Sequence, residues 1–237
     1  MKKLFLTFLT FVSLGAFAQN EAVINDANAQ QRTVGSFNAI TVSDGIQLFL
    51  TQSATEAVAV SAADEKYLSR LKTEVENGTL KIYFDRQGFT WTSDKKKLKA
   101  YVSFKTLEKL QASSGANVTA KSSLELGDLA MKFTSGAEFT GKLTARNLSV
   151  DQNSGSEVNL SGTVEKIHVD LSSGASLNGY DLAVDFCDAE ASSGASVHIT
   201  INKELNARAS SGGGIKYKGS ALIRDISISS GGLVKKA

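Results

Sequence analysis

From residue 110 onward, apolar and polar residues alternate in blocks of about twenty, each closing on a Ser-Gly pair. Counting from the glycines at 115, 136, 155, 174, 194, 212 and 231 makes the pattern plain. Five residues before each stand Leu110, Met131, Val150, Val169, Ala189, Ala207 and Ile226. Three before stand Ala112, Phe133, Gln152, Leu171, Ala191, Ala209 and Ile228. The position between is polar in the middle blocks: Lys132, Asp151, Asp170, Glu190 and Arg208. Three residues after each glycine the chain is apolar again, with Val118, Phe139, Val158, Leu177, Val197, Ile215 and Val234. A period of two is the signature of a strand with one buried face. Each block therefore reads as a strand ending at Ser-Gly followed by a second strand.

The glycine spacings are 21, 19, 19, 20, 18 and 19 residues, a period that belongs to a solenoid whose rungs bury their apolar sides against one another. A left-handed hexapeptide coil needs an aliphatic residue every six, and the calcium-binding nonapeptide pattern needs repeated GGxGxD; neither occurs. The expected fold is all-β: a right-handed parallel β-helix with about seven SSGA-type rungs of 18–21 residues. In the repeated motif, glycine supplies the backbone angle of a tight corner and the small residue after it lets corners pack closely. The Ser before each glycine has inward parity by simple counting, which predicts seven serines stacked inside the coil, each hydroxyl donating to the next or to a turn carbonyl. No G-x-S-x-G pattern makes any of them a nucleophile.

Ahead of the repeats, Ile40, Val42, Ile46, Leu48, Leu50, Val58 and Val60 alternate with polar neighbours. Asp64 to Leu71 predicts a short helical turn burying Tyr67, Leu68 and Leu71, and Asn77-Gly78 predicts a hairpin into Leu80, Ile82 and Phe84. FTWTSDKKK, Phe89 to Lys97, reads as a surface loop, and Leu98, Ala100, Val102 and Phe104 lead into the first clear rung. The succession RTVGSFNAITVSDGIQLFL, then VAVSAADEKYLSRLKTEVENGTLKIYF, then repeated SSGA turns resembles the putative auto-transporter adhesin head GIN domain family, a bacterial exported domain of unknown function. The resemblance runs from Arg32 to the C-terminus, with Gly45-Ile46-Gln47 where the family name has Gly-Ile-Asn. It implies a β-helical exported protein with an adhesin-like role, and it supplies no catalytic residue.

The first residues change the picture of where this chain works. Met1-Lys2-Lys3, an apolar run from Leu4 to Leu14 and Gly15-Ala16-Phe17-Ala18 have the form of a secretory signal peptide cleaved after Ala18. The expected organisation is a signal peptide over 1–18, a flexible segment over 19–31 and one β-helical head over 32–237, irregular to 110 and regular from 111. Export to the periplasm or cell surface follows, with no membrane insertion after cleavage. Without Lys2 and Lys3 the chain holds 24 basic and 24 acidic residues, which argues against a nucleic-acid partner. The lone Cys187 has inward parity and cannot form an internal disulfide, and no proline interrupts the strands.

Two groups of residues carry candidate chemistry. Asp151, Asp170 and Glu190 share one outward column, with His168 and Asp188 in the next. Rungs about 4.8 Å apart would hold such carboxylates at the separations glycosidases use, and hard oxygen ligands would also suit calcium. A period held within 18–21 residues leaves no room for loops to wall a glycan cleft, so a solvated charged face is the preferred reading. His168 and His198 fall in different columns, which disfavours a transition-metal site, and no metal or cofactor is expected. Phe89 and Trp91 with Lys95, Lys96 and Lys97 form the second group, suited to stacking on sugar or anchoring a protein. The sequence thus predicts a non-enzymatic protein presenting a surface to an unknown surface protein or glycan. The alternative is a carbohydrate-active or carbohydrate-binding protein using the acidic face. The open edge of the last strand is either shielded by Lys235 and Lys236 or covered by a second subunit. Repulsion between two basic tails favours the first, though the oligomeric state is left open.

Overall fold

The computed structural model describes residues 26–88 and 96–237. Residues 1–18, expected to form a signal peptide, and, in the loop, Phe89, Trp91 and Lys95 lie outside the described residues. The repeated corners set the architecture. At each of the seven, Ser and Gly both adopt positive φ, 46–55° for the serines and 68–76° for the glycines. The residue after the glycine donates its N–H to the carbonyl three residues back, as Ala116 does to Ser113 at 3.1 Å. A two-residue turn with both central residues left-handed is of type I′. The corner glycine N–H is then free to donate to the next rung: Gly115 to Ser135, Gly136 to Ser154, and so on to Gly212 with Ser230, at 3.0–3.2 Å.

This geometry overturns the predicted serine stack. All seven serines are exposed on the turns. Parity counted along a strand fails once the chain enters a left-handed turn, which swings the first central side chain out of the coil. The inward column is instead the residue after the glycine: Ala116, Ala137, Ser156, Ala175 and Ala195 are all buried there. What stacks along the corner is backbone, not hydroxyl.

From these corners the rungs follow. β1 (Gln30–Arg32), β2 (Ala39–Val42), β3 (Gln47–Gln52), β4 (Ala57–Ser61), α1 (Glu65–Leu68), β5 (Leu71–Glu76), β6 (Thr79–Phe84) and β7 (Lys99–Phe104) make up the N-terminal part. β8 (Lys109–Ala112), β9 (Asn117–Ala120), β10 (Leu124–Phe133), β11 (Glu138–Gln152), β12 (Glu157–Leu171), β13 (Ser176–Ala191) and β14 (Ser196–Ala209) form the regular coil. β15 (Gly214–Lys218), β16 (Leu222–Ile228) and β17 (Leu233–Lys236) complete it. Successive long strands pair in parallel and in register, Phe139 with Val158 with Leu177 with Val197, so the chain is a parallel β-solenoid of about seven turns. In β13 the buried residues step by two except at Tyr180-Asp181 and Asp185-Phe186, where two neighbours face out. Those bends and the Ser-Gly corner divide this rung into three flat faces.

The segment before residue 111 is less irregular than its sequence suggests. Ser43-Asp44-Gly45-Ile46 is an eighth corner: Asp44 and Gly45 have φ of 63° and 69°, and Gly45 donates to the Ser114 carbonyl at 2.9 Å. β2 and β3 flank it and lie in parallel register on β8 and β9. β6 and β7 stack on β2 and β3, and then the direction reverses. β5 pairs antiparallel with β6, joined through Asn77 and Gly78 at positive φ, while β4 pairs antiparallel with β7 and β1 with β4. With α1, which buries Tyr67 and Leu68, these strands close the N-terminal end of the core. Part of the segment expected to be flexible is therefore held in the sheet: Gln30–Arg32 is a strand, and Asp26 accepts hydrogen bonds from Tyr101 and Lys99 at 2.8 and 3.1 Å.

The core is a stack of aliphatic columns with a few aromatic fillers, Phe133 and Phe139 meeting edge to face at 5.9 Å. One polar pair interrupts it. Buried Gln152 donates to the Ser156 and Ser176 carbonyls at 3.4 and 3.1 Å, and buried Ser156 donates to the Phe133 carbonyl at 3.0 Å. Cys187 is buried, and burial pushes its thiol up to about 12, so it behaves as a core residue.

Candidate functional site

The acidic columns lie on the face that precedes each corner, formed by the C-terminal halves of β11 to β14. Parallel register sets Asp151, Asp170 and Glu190 side by side and places Ser149, His168 and Asp188 in the neighbouring column. All point outward because they alternate with buried Val150, Val169 and Ala189. The column is flanked by cations. Lys132 pairs with Asp151 at 2.7 Å and Arg208 with Glu190 at 2.9 Å, leaving Asp170 with no ion-pair partner among the described residues. Arg208 also reaches Asp188 at 4.0 Å and Asp225 at 3.8 Å, and the Glu190 hydrogen bond raises its already high pKa. His168 Nδ1 lies 3.5 Å from Asp188 Oδ2. These side chains are about half exposed, a setting in which single ion pairs contribute little to stability.

The chemistry this face can perform is limited by its surroundings. Between residues 138 and 209 the strands are joined only by the four-residue corners, so no loop rises beside the carboxylates. A cavity of about 290 Å³ lies at the adjoining bend between Lys166, Phe186, Asp188 and Glu204, and the enclosed Asp188 Oδ1 has no hydrogen-bond partner there. No group of three or more His, Cys, Asp or Glu among the described residues is arranged to hold a metal ion. The face is a charged ladder open to solvent.

The second candidate group is split. Lys96 is tied to the N-terminal cap: its carbonyl accepts from the Ala63 N–H at 2.8 Å and its ammonium lies 5.7 Å from the Phe84 ring centre. Lys97 is exposed, with φ of 47°. Sequence counting overlooked a third group, on the face that follows each corner. There Asn159, Asn178 and His198 stand in one column, with Asn178 donating to Asn159 at 2.9 Å and His198 Nδ1 3.3 Å from Asn178 Oδ1. Tyr180 stacks on the His198 ring at 5.2 Å beneath the Lys218 ammonium. Burial and then Lys216 lower the His198 pKa. The signal was available, because all three column residues stand four places after a corner glycine.

A cavity of about 570 Å³ sits where the N-terminal part meets the first regular rung, between Gln52, Lys105, Glu108, Glu125 and Asp128. The Gln52 amide completes the open edge of β10 there, donating to the Glu125 carbonyl at 2.8 Å and accepting from its N–H at 2.7 Å.

Turn-to-turn strands, outward ladders of polar side chains and a covered N-terminal end define a solenoid that offers broad faces. The chain belongs to the family described as putative auto-transporter adhesin, head GIN domain, which it matches over residues 36–221. Solved structures share the fold. A putative adhesin from Bacteroides fragilis is similar at TM-score 0.81 and 19% identity, over 88% of this chain and 96% of that one. A putative adhesin from Parabacteroides merdae is similar at 0.69 and 20%, over 88% and 95%. A putative lipid binding protein from Parabacteroides distasonis is similar at 0.61 and 19%, over 90% and 98%. No curated protein matches the chain at a significant level. No helix among the described residues is long and apolar enough to cross a membrane.

Proposed function

We propose that this is an exported, non-enzymatic protein whose solenoid faces engage a surface protein or glycan in adhesion or cell-envelope assembly. The observation that carries the reading is the build of β11 to β14: strands of 14–16 residues joined only by tight corners, giving wide faces without walls. A long partner can lie along such ladders, whereas a substrate held for cleavage needs enclosure and preorganised groups on both sides of the scissile bond. The family's adhesin description and the similar structures described as putative adhesins support the same role. Export rests on the pattern of residues 1–18.

The test uses the chain from Gln19 onward. It is screened on a glycan array and against extracted envelope proteins, and in parallel for release of reducing ends from polysaccharides. Binding without product is expected. The combined variant Asp151→Asn, Asp170→Asn, Glu190→Gln should bind the same partner, with at most a changed salt dependence. Polysaccharide cleavage by the parent chain that disappears in this variant would establish the carbohydrate-active alternative instead. Whole-cell labelling with and without outer-membrane permeabilisation separates a surface location from a periplasmic one.

A further inference from the structure

Among the described residues, the N-terminal end of the solenoid is covered and the last coil is exposed. Among the described residues, the exposed large hydrophobic side chains are Leu222, Ile223, Ile226, Ile228 and Leu233, between 37% and 56% accessible, all on the last coil. Three of them continue core columns: Ile223 registers on Leu205, Ile226 on Ala207 and Ile228 on Ala209, all three partners buried. Among the described residues β16 and β17 pair on one side only, with β14 and β15, so each presents a row of backbone donors and acceptors along its other edge. Apolar core ends and unpaired backbone therefore occur together on one small surface.

We propose that a second copy of this chain docks here, coil end against coil end, with β16 of each copy pairing antiparallel to β17 of the other. Three arguments select this occupant. A lipid surface would accept the isoleucines but leave the peptide edge unsatisfied in hydrocarbon, whereas another sheet edge satisfies both. The opposite end of the solenoid is closed by antiparallel β1, β4 and β5, so like ends meet and the contact is isologous. Charge then chooses between the two-fold arrangements. A two-fold through the middle of β16 or of β17 pairs that one strand with its own copy, and sets Asp225 near Asp225 or Lys235 near Lys235. Pairing β16 with β17, corner over corner, brings each Asp225, whose side chain is 60% exposed, within reach of the partner's Lys235. The repulsion between basic tails that disfavours a dimer in the first arrangement becomes attraction in the second. Strands of 7 and 4 residues make a contact below the usual 20–30 residues a side, so a micromolar, concentration-dependent dimer is expected.

Sedimentation velocity on the chain from Gln19 onward, from about 1 to 300 µM, tests this. The parent should pass from monomer to dimer across that range. Ile228→Glu, at a half-exposed position, should stay monomeric with an unchanged circular dichroism spectrum. Asp225→Lys and Lys235→Glu should each weaken dimerisation at least tenfold, and the two together should restore it. A parent that stays monomeric throughout overturns the proposal. Failure of the double charge exchange to restore dimerisation overturns the β16–β17 pairing. A monomeric parent that cosediments with anionic vesicles, lost in Ile228→Glu, assigns the surface to a membrane. None of these outcomes bears on whether the faces bind an adhesion partner.

Discussion

At the corner, a single residue's backbone angle decides which side chain faces the core. Ser173 has φ of 53° and is exposed, whereas Ala175, two residues on, is buried against neighbouring rungs. Holding a non-glycine residue in the left-handed region costs about 1 kcal/mol or more, and here the ladder of glycine N–H bonds to the next rung's serine carbonyl keeps it there. Ala175→Leu should therefore overpack the coil and destabilise by about 1–3 kcal/mol in urea unfolding, while Ser173→Leu should change stability by less than about 1 kcal/mol. This reverses the order that parity counting gives. A larger loss for Ser173→Leu than for Ala175→Leu would contradict the turn assignment. The strand columns were legible because a period of two survives wherever the backbone stays extended. The serine's direction was not, because it depends on two positive φ angles that residue spacing does not record.

At the level of elements, the sequence announces those that repeat and conceals those that do not. The corner at Asp44-Gly45 lacks the serine, and 69 residues separate its glycine from Gly115, so the period misses it although the chain fold does not. β1 is hidden for a different reason: three residues, Gln30 to Arg32, carry no alternation and are held by an edge pairing with β4. The clamp beside it is electrostatic. Asp26, whose side chain is 11% exposed, is held down to about 2 by the Tyr101 hydroxyl and Lys99, and Tyr101 is pushed up to about 12 by burial and by Asp26. A carboxylate with a depressed folded-state pKa contributes stability that is complete above its unfolded value and is lost as pH falls through its folded value. Stability should thus fall between about pH 4 and pH 2 partly through Asp26. Asp26→Asn should lower stability at pH 7 and flatten that part of the acid limb; parallel acid unfolding curves for the two proteins would rule the clamp out. The acidic columns were legible to the residue, since each acid stands at a fixed place before its corner glycine and the corners stack in register. The same column places Lys132 and Arg208 at its two ends, and the structure pairs them with Asp151 and Glu190. The Tyr180–His198 stack was not legible, because it crosses a bend where the alternation breaks.

Across the whole molecule, each rung touches only its neighbours, so stability is close to a sum of rung and interface contributions. The two ends of that sum differ. The first rungs carry an antiparallel cap and the buried Tyr67, Leu68 and Leu71, while the last coil has β16 exposed along its length. Local opening should therefore be graded along the axis, cheapest at β16 and β17 and dearest at β11 to β13, where every strand is paired on both sides. Cys187 lies in that protected middle, and its buried thiol can react only when a central rung opens. Hydrogen exchange at low micromolar concentration should show amides of residues 222–236 exchanging at least a hundredfold faster than those of 148–191. Thiol labelling of Cys187 at pH 8 should follow the slow class. Uniform exchange across the rungs would mean that the solenoid opens as a single unit. Rapid labelling of Cys187 would place the weak point in the centre, beside the acidic face, and would make that face a poor platform for holding any partner.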